Sequence, residues 1–327
     1  MTLLEFRDVH VTYTGSRGRI PAVRGVDLKV EAGKVLGIAG ESGCGKSTLA
    51  MAVLRLLPKS AEVSGEILLD GEDLLQMGWG RLRAVRWTGA SIVFQGAMHS
   101  LNAVQRIGRQ VAEPMLVHDK TLSAAKAAKK AEGLLERVGL PATRLRSYPH
   151  ELSGGQRQRV MIAMALACDP DLIIADEATT ALDVMVQAQV LQLISGLVTE
   201  RGVGLVMISH DLSVLSSVCD TAAVMYAGRV VEQGPAHEVF AQARHPYSAA
   251  LGAAFPVIGD PAARLKPGGL AGDPPDPARL PEGCSFRPRC AVAVERCGKE
   301  SPELLQIEGP RLSACFVAQE GEPVVSG

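Results

Sequence analysis

Residues 36–58 read LGIAGESGCGKSTLAMAVLRLLP. Leu36 to Ala39 is a short apolar run without charge, the pattern of a strand buried on both faces. It breaks into Gly40-Glu41-Ser42-Gly43-Cys44-Gly45, and the residues after it predict a helix from Lys46 to Leu57, stopped by Pro58. Gly40 to Ser47 fits G-x-x-x-x-G-K-[ST] between a strand and a helix, the context that pattern requires. The glycines let main-chain N–H groups turn inward around a phosphate, and the helix N-terminus adds a favourable dipole. Lys46 supplies a point charge to the outer phosphates, and the Ser47 hydroxyl is a hard oxygen of the kind Mg²⁺ takes.

Outward from that loop, the first 240 residues alternate β-rich runs with helical patterns, which predicts an α/β domain. Ser91–Phe94, Leu172–Ala175 and Val203–Ile208 are further strand candidates. TLSAAKAAKKAEGLLERVGLP predicts a helix with Thr121 and Ser123 as cap candidates and a stop at Gly139 and Pro141. From Pro256 to Pro281 prolines recur beside Gly and Asp, the composition of a linker or irregular appendage. No internal repeat is present.

At 327 residues the chain suits about two domains, and 47% hydrophobic with 21% charged residues is ordinary for a globular protein. A net charge of -1 argues against a strongly basic nucleic-acid binder, and 4% aromatic residues argue against a base-stacking surface. The longest apolar run, Val160 to Cys168, is half the ~18 residues a membrane span needs. MTLLEFRDVHVTYT has neither the basic start nor the cleavage site of a signal peptide. The expectation is a soluble, non-secreted chain that meets a membrane only through partners.

LIIADE, Leu172 to Glu177, is an apolar strand ending in two carboxylates, placed to serve metal (Asp176) and attacking water (Glu177). Leu152-Ser153-Gly154-Gly155-Gln156 precedes a helical QRQRVMIAMALA and makes a second, lysine-free helix N-terminus that can face phosphate. Here the sequence resembles the ATP-binding cassette family, whose signature is LSGGQ. The order of parts matches as well: phosphate loop, Gln95 ending a strand, LSGGQ, the Asp-Glu pair, Ala181-Leu182-Asp183, then His210. The resemblance covers roughly residues 3–240. It implies an α/β P-loop NTPase cassette over residues 1–242, with a RecA-like core, an antiparallel β subdomain and a helical subdomain at about 98–165.

It further implies that two cassettes bind head to tail. Each ATP is then held by the phosphate loop of one (Gly40, Ser42, Gly43, Cys44, Gly45, Lys46, Ser47, Thr48) and the signature of the other (Ser153, Gly154, Gly155, Gln156). In this family Tyr13 corresponds to the aromatic that stacks on adenine, and Gln95 to a lid glutamine touching Mg²⁺ and water. Glu177 would polarise the hydrolytic water, His210 would hydrogen-bond the γ-phosphate, and Asp183 would cross the dimer interface. Ala178, Thr180 and Gly96-Ala97 depart from the commoner Pro, Ser and Asp-Pro, yet none removes a catalytic group.

Three segments narrow the branch. Ser100-Leu101-Asn102, His245-Pro246-Tyr247-Ser248 with Leu251, and the tail GCSFRPRC…ERC…SACF resemble the oligopeptide, dipeptide and nickel importer ATPases. That implies a peripheral ATPase subunit on the cytoplasmic face of a bacterial cell membrane. Its partners would be a second ATPase subunit, a paralogue or an identical copy, two transmembrane permeases and an extracytoplasmic peptide-binding protein. A soluble cassette ATPase acting on ribosomes or DNA commonly carries two cassettes or a long coiled-coil arm, and an exporter a fused membrane domain; neither pattern is seen.

Of seven cysteines, Cys44, Cys168 and Cys219 are scattered, while Cys284, Cys290, Cys297 and Cys315 follow C-x5-C-x6-C-x17-C in an extension over residues 243–327. A reducing cytosol disfavours disulfides. Structural zinc usually takes close C-x2-4-C pairs, whereas separated thiolates suit the larger [4Fe–4S] core, and the resemblance points the same way. Zinc and unligated thiols are the alternatives. Arg287, Arg289 and Arg296 flank the thiols, either offsetting cluster charge or simply solvated.

Overall fold

The computed structural model describes residues 1–15, 18–94, 100–178, 184–254, 270, 272–322 and 324. Gln95, Gly96-Ala97, Thr180 and Ala181-Leu182-Asp183 lie outside the described residues, as does most of the proline-rich stretch. Two compact units draw on non-consecutive segments: Met1–Leu4, Val30–Val35 and Leu68–Ile208 in one, Glu5–Lys29, Leu36–Ile67 and Ser209–Gly327 in the other.

In chain order the elements begin with the long strands β1 (Thr2–Gly15) and β2 (Gly18–Glu31), then β3 (Val35–Ala39), α1 (Lys46–Val53) and β4 (Ala61–Leu69). The short β5 (Glu72–Asp73), α2 (Trp79–Thr88) and β6 (Ala90–Val93) follow. Helices α3 (Ile107–His118), α4 (Ala124–Arg137) and α5 (Gly154–Ala165) lead to β7 (Leu172–Asp176), α6 (Val184–Arg201) and β8 (Gly204–Ile208). Then come α7 (Leu212–Val218), β9 (Thr221–Tyr226), β10 (Arg229–Pro235), α8 (Ala236–Ala241) and α9 (Pro246–Ala254). The tail adds β11 (Leu305–Glu308), β12 (Arg311–Ser313) and α10 (Phe316–Gln319).

The unit that holds α5 pairs β6, β7 and β8 in parallel. LIIAD and GLVMI are buried at every position, which is why they read as continuous apolar runs rather than alternating ones. Ser123 caps α4, its hydroxyl accepting from the Lys126 N–H at 3.3 Å, whereas the Thr121 hydroxyl turns back to Asp119.

The unit that holds the phosphate loop orders its strands β11-β12-β10-β9-β3. β3, VLGIA, is buried throughout and runs parallel to β9. β9 and β10 form a hairpin whose two-residue turn has Ala227 at φ 47° and Gly228 at φ 81°, the left-handed pair a tight hairpin demands. β12 adds to β10 antiparallel, Glu232 opposite Ser313, so the tail beyond the proline-rich stretch adds strands to this unit's sheet. The junction is anchored by the Glu232 carboxylate, 0% exposed. It accepts the N–H groups of Arg244 at 2.7 Å and His245 at 2.9 Å, and pairs with Arg311 at 3.0 Å. Helix α1 ends at Val53, short of the Leu57 expected, because Arg55 turns left-handed at φ 51° and the Leu56 N–H closes back on the Met51 carbonyl.

Candidate nucleotide site

The phosphate loop begins where β3 stops. Gly40 at φ 147° and Gly45 at φ 105° hold backbone conformations that L side chains rarely adopt, and a Cβ would strike the Met225 carbonyl oxygen at one and that of Ala22 at the other. No larger residue fits either place. Gly45 then serves as the left-handed N-cap of α1. Ser42 and Gly43 are exposed at the crown of the loop, and Ser47 and Thr48 are half-buried on the first helical turn.

Lys46 is 7% exposed and folds back over its own loop, its ammonium donating to the carbonyls of Gly40 at 2.7 Å and Glu41 at 2.9 Å. The Cys44 thiol lies 3.5 Å from the same nitrogen and is buried, so it is packing under the loop and not a group presented to a ligand. Tyr13 stands beside this loop, its hydroxyl 3.2 Å from the Thr48 hydroxyl. Following β8, exposed His210 is held between two fixed neighbours. The Asp211 N–H donates to the Ser209 hydroxyl at 3.0 Å, and the Asp211 carboxylate caps α7 through the N–H groups of Ser213 and Val214.

In the other unit, Ser153 and Gln156 form a reciprocal cap on α5. The Gln156 N–H donates to the Ser153 hydroxyl at 3.3 Å, and the Ser153 N–H to the Gln156 side-chain oxygen at 3.1 Å. The hydroxyl therefore accepts from the helix and keeps its own proton to donate outward, beside unsatisfied N–H groups of the first turn. Asp176 ends β7 at 4% exposure. Glu177 follows at φ 49°, a left-handed turn that costs a non-glycine residue roughly 1–3 kcal/mol and persists only where surroundings over-determine it. They do: the Glu177 N–H donates to the Ile208 carbonyl at 2.9 Å, and the buried Gln158 side chain donates to the carbonyls of both Glu177 and Ala178.

The four tail cysteines gather in one neighbourhood. Cys284 and Cys290 are half-buried, Cys297 and Cys315 buried, and the Cys284 N–H donates to the Cys297 carbonyl at 2.9 Å. Burial pushes the thiols of Cys284, Cys290 and Cys315 up, Cys290 to about 11, and the neighbouring thiols raise them further. Among the described residues no three His, Cys, Asp or Glu side chains converge tightly enough to hold a single metal ion. Of the flanking arginines, Arg296 pairs with Glu300 and lies over the Phe316 ring, while Arg289 reaches back to Glu41 of the phosphate loop.

The Gln158 clamp and the Arg289–Glu41 pair escape sequence reasoning. A glutamine within QRQR carries no sign that it will be buried, and no spacing rule links positions 248 apart.

Comparison with known proteins supplies the rest. A family model described as "ABC transporter" matches residues 23–180, and one described as "Oligopeptide/dipeptide transporter, C-terminal region" matches residues 231–297. The chain is 43% identical over 316 residues to the "Oligopeptide transport ATP-binding protein OppD" of Salmonella typhimurium, covering 96% of this chain and 93% of that one. It is 42% identical over 328 residues to a "Probable peptide ABC transporter ATP-binding protein" of Sinorhizobium fredii, covering 97% and 96%. Among solved structures, the dimeric bacterial ABC transporter cassette MJ0796 superposes with a TM-score of 0.66 at 28% identity, covering 72% of this chain and 99% of that one. CbiO1 of Clostridium perfringens, part of the transporter complex cbiONQ, gives 0.61 at 30% identity, covering 74% and 91%.

Proposed function

The chain belongs to the ABC transporter family and carries that family's oligopeptide/dipeptide transporter C-terminal region, and we propose that it is the ATP-hydrolysing subunit of a binding-protein-dependent importer of di- and oligopeptides. The observation that carries this is the extent of the likeness. A cassette alone does not identify a cargo, but 43% identity runs through 96% of the chain and takes in the tail.

In this mechanism the loop from Gly40 to Ser47 binds the phosphates through its N–H groups and the Lys46 ammonium. By the family resemblance Ser47, Asp176 and Gln95 would each offer an oxygen to Mg²⁺, which would neutralise phosphate charge. Tyr13 meets the adenine ring. Glu177 accepts a proton from the attacking water, and His210 donates to the γ-phosphate. Ser153, Gly154, Gly155 and Gln156 close on the ATP of a second ATPase subunit, with Asp183 at that interface. Closure and reopening of the pair drive two permeases between states, the gating that couples hydrolysis to transport. No helix among the described residues is long and apolar enough to cross a membrane. By its likeness to peptide-importer ATPases this subunit would work from the cytoplasmic face, docked on the permeases. Residues 1–242 serve as the cassette and 243–327 as the extension.

The four tail thiols we assign to a [4Fe–4S] cluster, with zinc as the alternative. A tetrahedral zinc ion with Zn–S near 2.3 Å draws its thiolates close together, while a four-iron core spreads them wider. The thiols share one neighbourhood, as the mutual upward push on Cys284, Cys290 and Cys315 indicates. A Cβ at Gly283, φ 72°, would run into the Cys297 carbonyl, so the two cysteine-bearing segments are already pressed together. Bound there, the cluster would tie Cys284, Cys290, Cys297 and Cys315 together and organise the tail.

Transport decides the cargo. Proteoliposomes holding two permeases with which the chain assembles, loaded with the chain and ATP, should take up labelled peptide only with the peptide-binding protein outside. Uptake of another solute in place of peptide would overturn the assignment.

A further inference from the structure

Glu41, immediately after the first glycine of the phosphate loop, has every polar group engaged, and two of its four partners come from the C-terminal region. Its N–H donates to the Tyr247 hydroxyl at 2.8 Å. Its carbonyl accepts from the Lys46 ammonium at 2.9 Å and from the Cys44 N–H at 3.3 Å. Its carboxylate takes two parallel hydrogen bonds from Arg289, Nη1 to Oε2 at 2.7 Å and Nη2 to Oε1 at 2.9 Å. The Arg289 side chain is 6% exposed and its guanidinium lies 6.0 Å from the Tyr226 ring. Phe286 packs edge to face against Tyr226 and Tyr247 with centroids 5.2 and 5.4 Å apart, the two tyrosines lie tilted at 4.6 Å, and Tyr247 is 0% exposed. Arg289 and Tyr247 are therefore built into a rigid aromatic wall, and that wall grips the loop.

A carboxylate is an odd occupant for a loop that must receive a polyanion, since unscreened like charges at contact distance repel strongly. The bidentate guanidinium neutralises it and fixes its direction, which a lysine's single point charge would do less well. With N–H and carboxylate both fixed, the Glu41 carbonyl is fixed too, and that carbonyl helps aim Lys46.

We propose that Arg289 and Tyr247 are positioning residues of the ATP site: the C-terminal region cancels the charge of Glu41 and holds the phosphate loop in its binding conformation. This rests on the assignment of Gly40–Ser47 to nucleotide, so the unmodified full-length chain must first bind ATP by calorimetry; if it does not, that assignment fails and not this one. Arg289→Met leaves an unpaired carboxylate in the loop and should weaken ATP binding about tenfold or more, with kcat at saturating ATP within about twofold. Adding Glu41→Gln to it removes the stray charge and should recover affinity to within about threefold of the unmodified chain. A merely structural arginine would not be rescued by neutralising Glu41. Unchanged affinity in Arg289→Met, or a double variant as weak as the single one, overturns the proposal. Should Arg289→Met fail to fold, Tyr247→Phe keeps the ring and loses only the acceptor for the Glu41 N–H. About threefold weaker ATP binding is expected there, and unaltered binding overturns the proposal equally.

Discussion

The side chain of Gln158, two residues beyond LSGGQ, donates to the main-chain carbonyls of Glu177 at 3.3 Å and of Ala178. At 2% exposure it has no water to bond instead. The helix that opens with Ser153-Gly154-Gly155-Gln156 thus holds the turn at Glu177 within the same unit, so a shift of one is felt by the other.

Replacing Gln158 with Met keeps the volume but leaves two buried carbonyls without these donors. Turnover should fall about tenfold while ATP affinity stays within about twofold, because Glu177 loses its aim and the phosphate contacts are untouched. Equal losses in kcat and affinity would contradict a positioning role.

Glu177→Gln should bind ATP yet hydrolyse it about 10²–10⁴-fold more slowly, the usual span for a lost general base. Light scattering should then find a closed, ATP-dependent dimer that persists. Turnover near the unmodified rate in the assembled transporter would remove Glu177 from its role.

Lys46→Ala acts earlier. The ammonium that now bridges the Gly40 and Glu41 carbonyls is lost, and with it the direct charge on phosphate. Calorimetry should register ATP binding weakened by at least about tenfold, with no change in the melting transition larger than a few degrees.

His245 makes the fold acid-sensitive. Burial pushes its imidazole down to about 3 against an opposing hydrogen bond to the Ala314 main chain, and its Nδ1 accepts the Tyr247 N–H at 3.0 Å, so the folded chain holds it neutral. The unfolded chain protonates it near pH 6.5. Its contribution is whole above about pH 6.5 and is lost as pH falls toward 3, amounting to about 2 kcal/mol at pH 5. Urea midpoints at pH 7 and pH 5 should differ accordingly, and His245→Gln should flatten the difference.

Cys290→Ser tests the tail. Anaerobically prepared full-length chain should carry iron and acid-labile sulfide with a broad band near ~400 nm, and the variant should lose all three. About one zinc per chain without iron would convert the site to zinc. Freely alkylated thiols and neither metal in the folded chain would end the metal assignment.

Much of this was legible locally. The strand, loop and helix around Gly40–Ser47 are dictated by neighbours in sequence, as are the caps at Ser123 and Ser153 and the buried runs of β7 and β8. The early end of α1 was not, because Arg55 adopts the left-handed turn where a glycine would have announced it. Nor was the tail's place in the sheet, since the partner of Glu232 is Arg311, 79 residues on, and pairing at that range leaves no local periodicity. Arg289 read equally well as a solvated arginine until its partner came into view.

The 248-residue separation of Glu41 and Arg289 also has a meaning in time. At 5–20 residues per second, roughly 12–50 s pass between the two leaving the ribosome's catalytic centre. Throughout that interval the nascent chain owns a glycine loop, its lysine and then a signature, but not the arginine that quiets Glu41. A polypeptide that stops short of residue 289 would carry the Gly40–Ser47 loop without the guanidinium that pairs with Glu41.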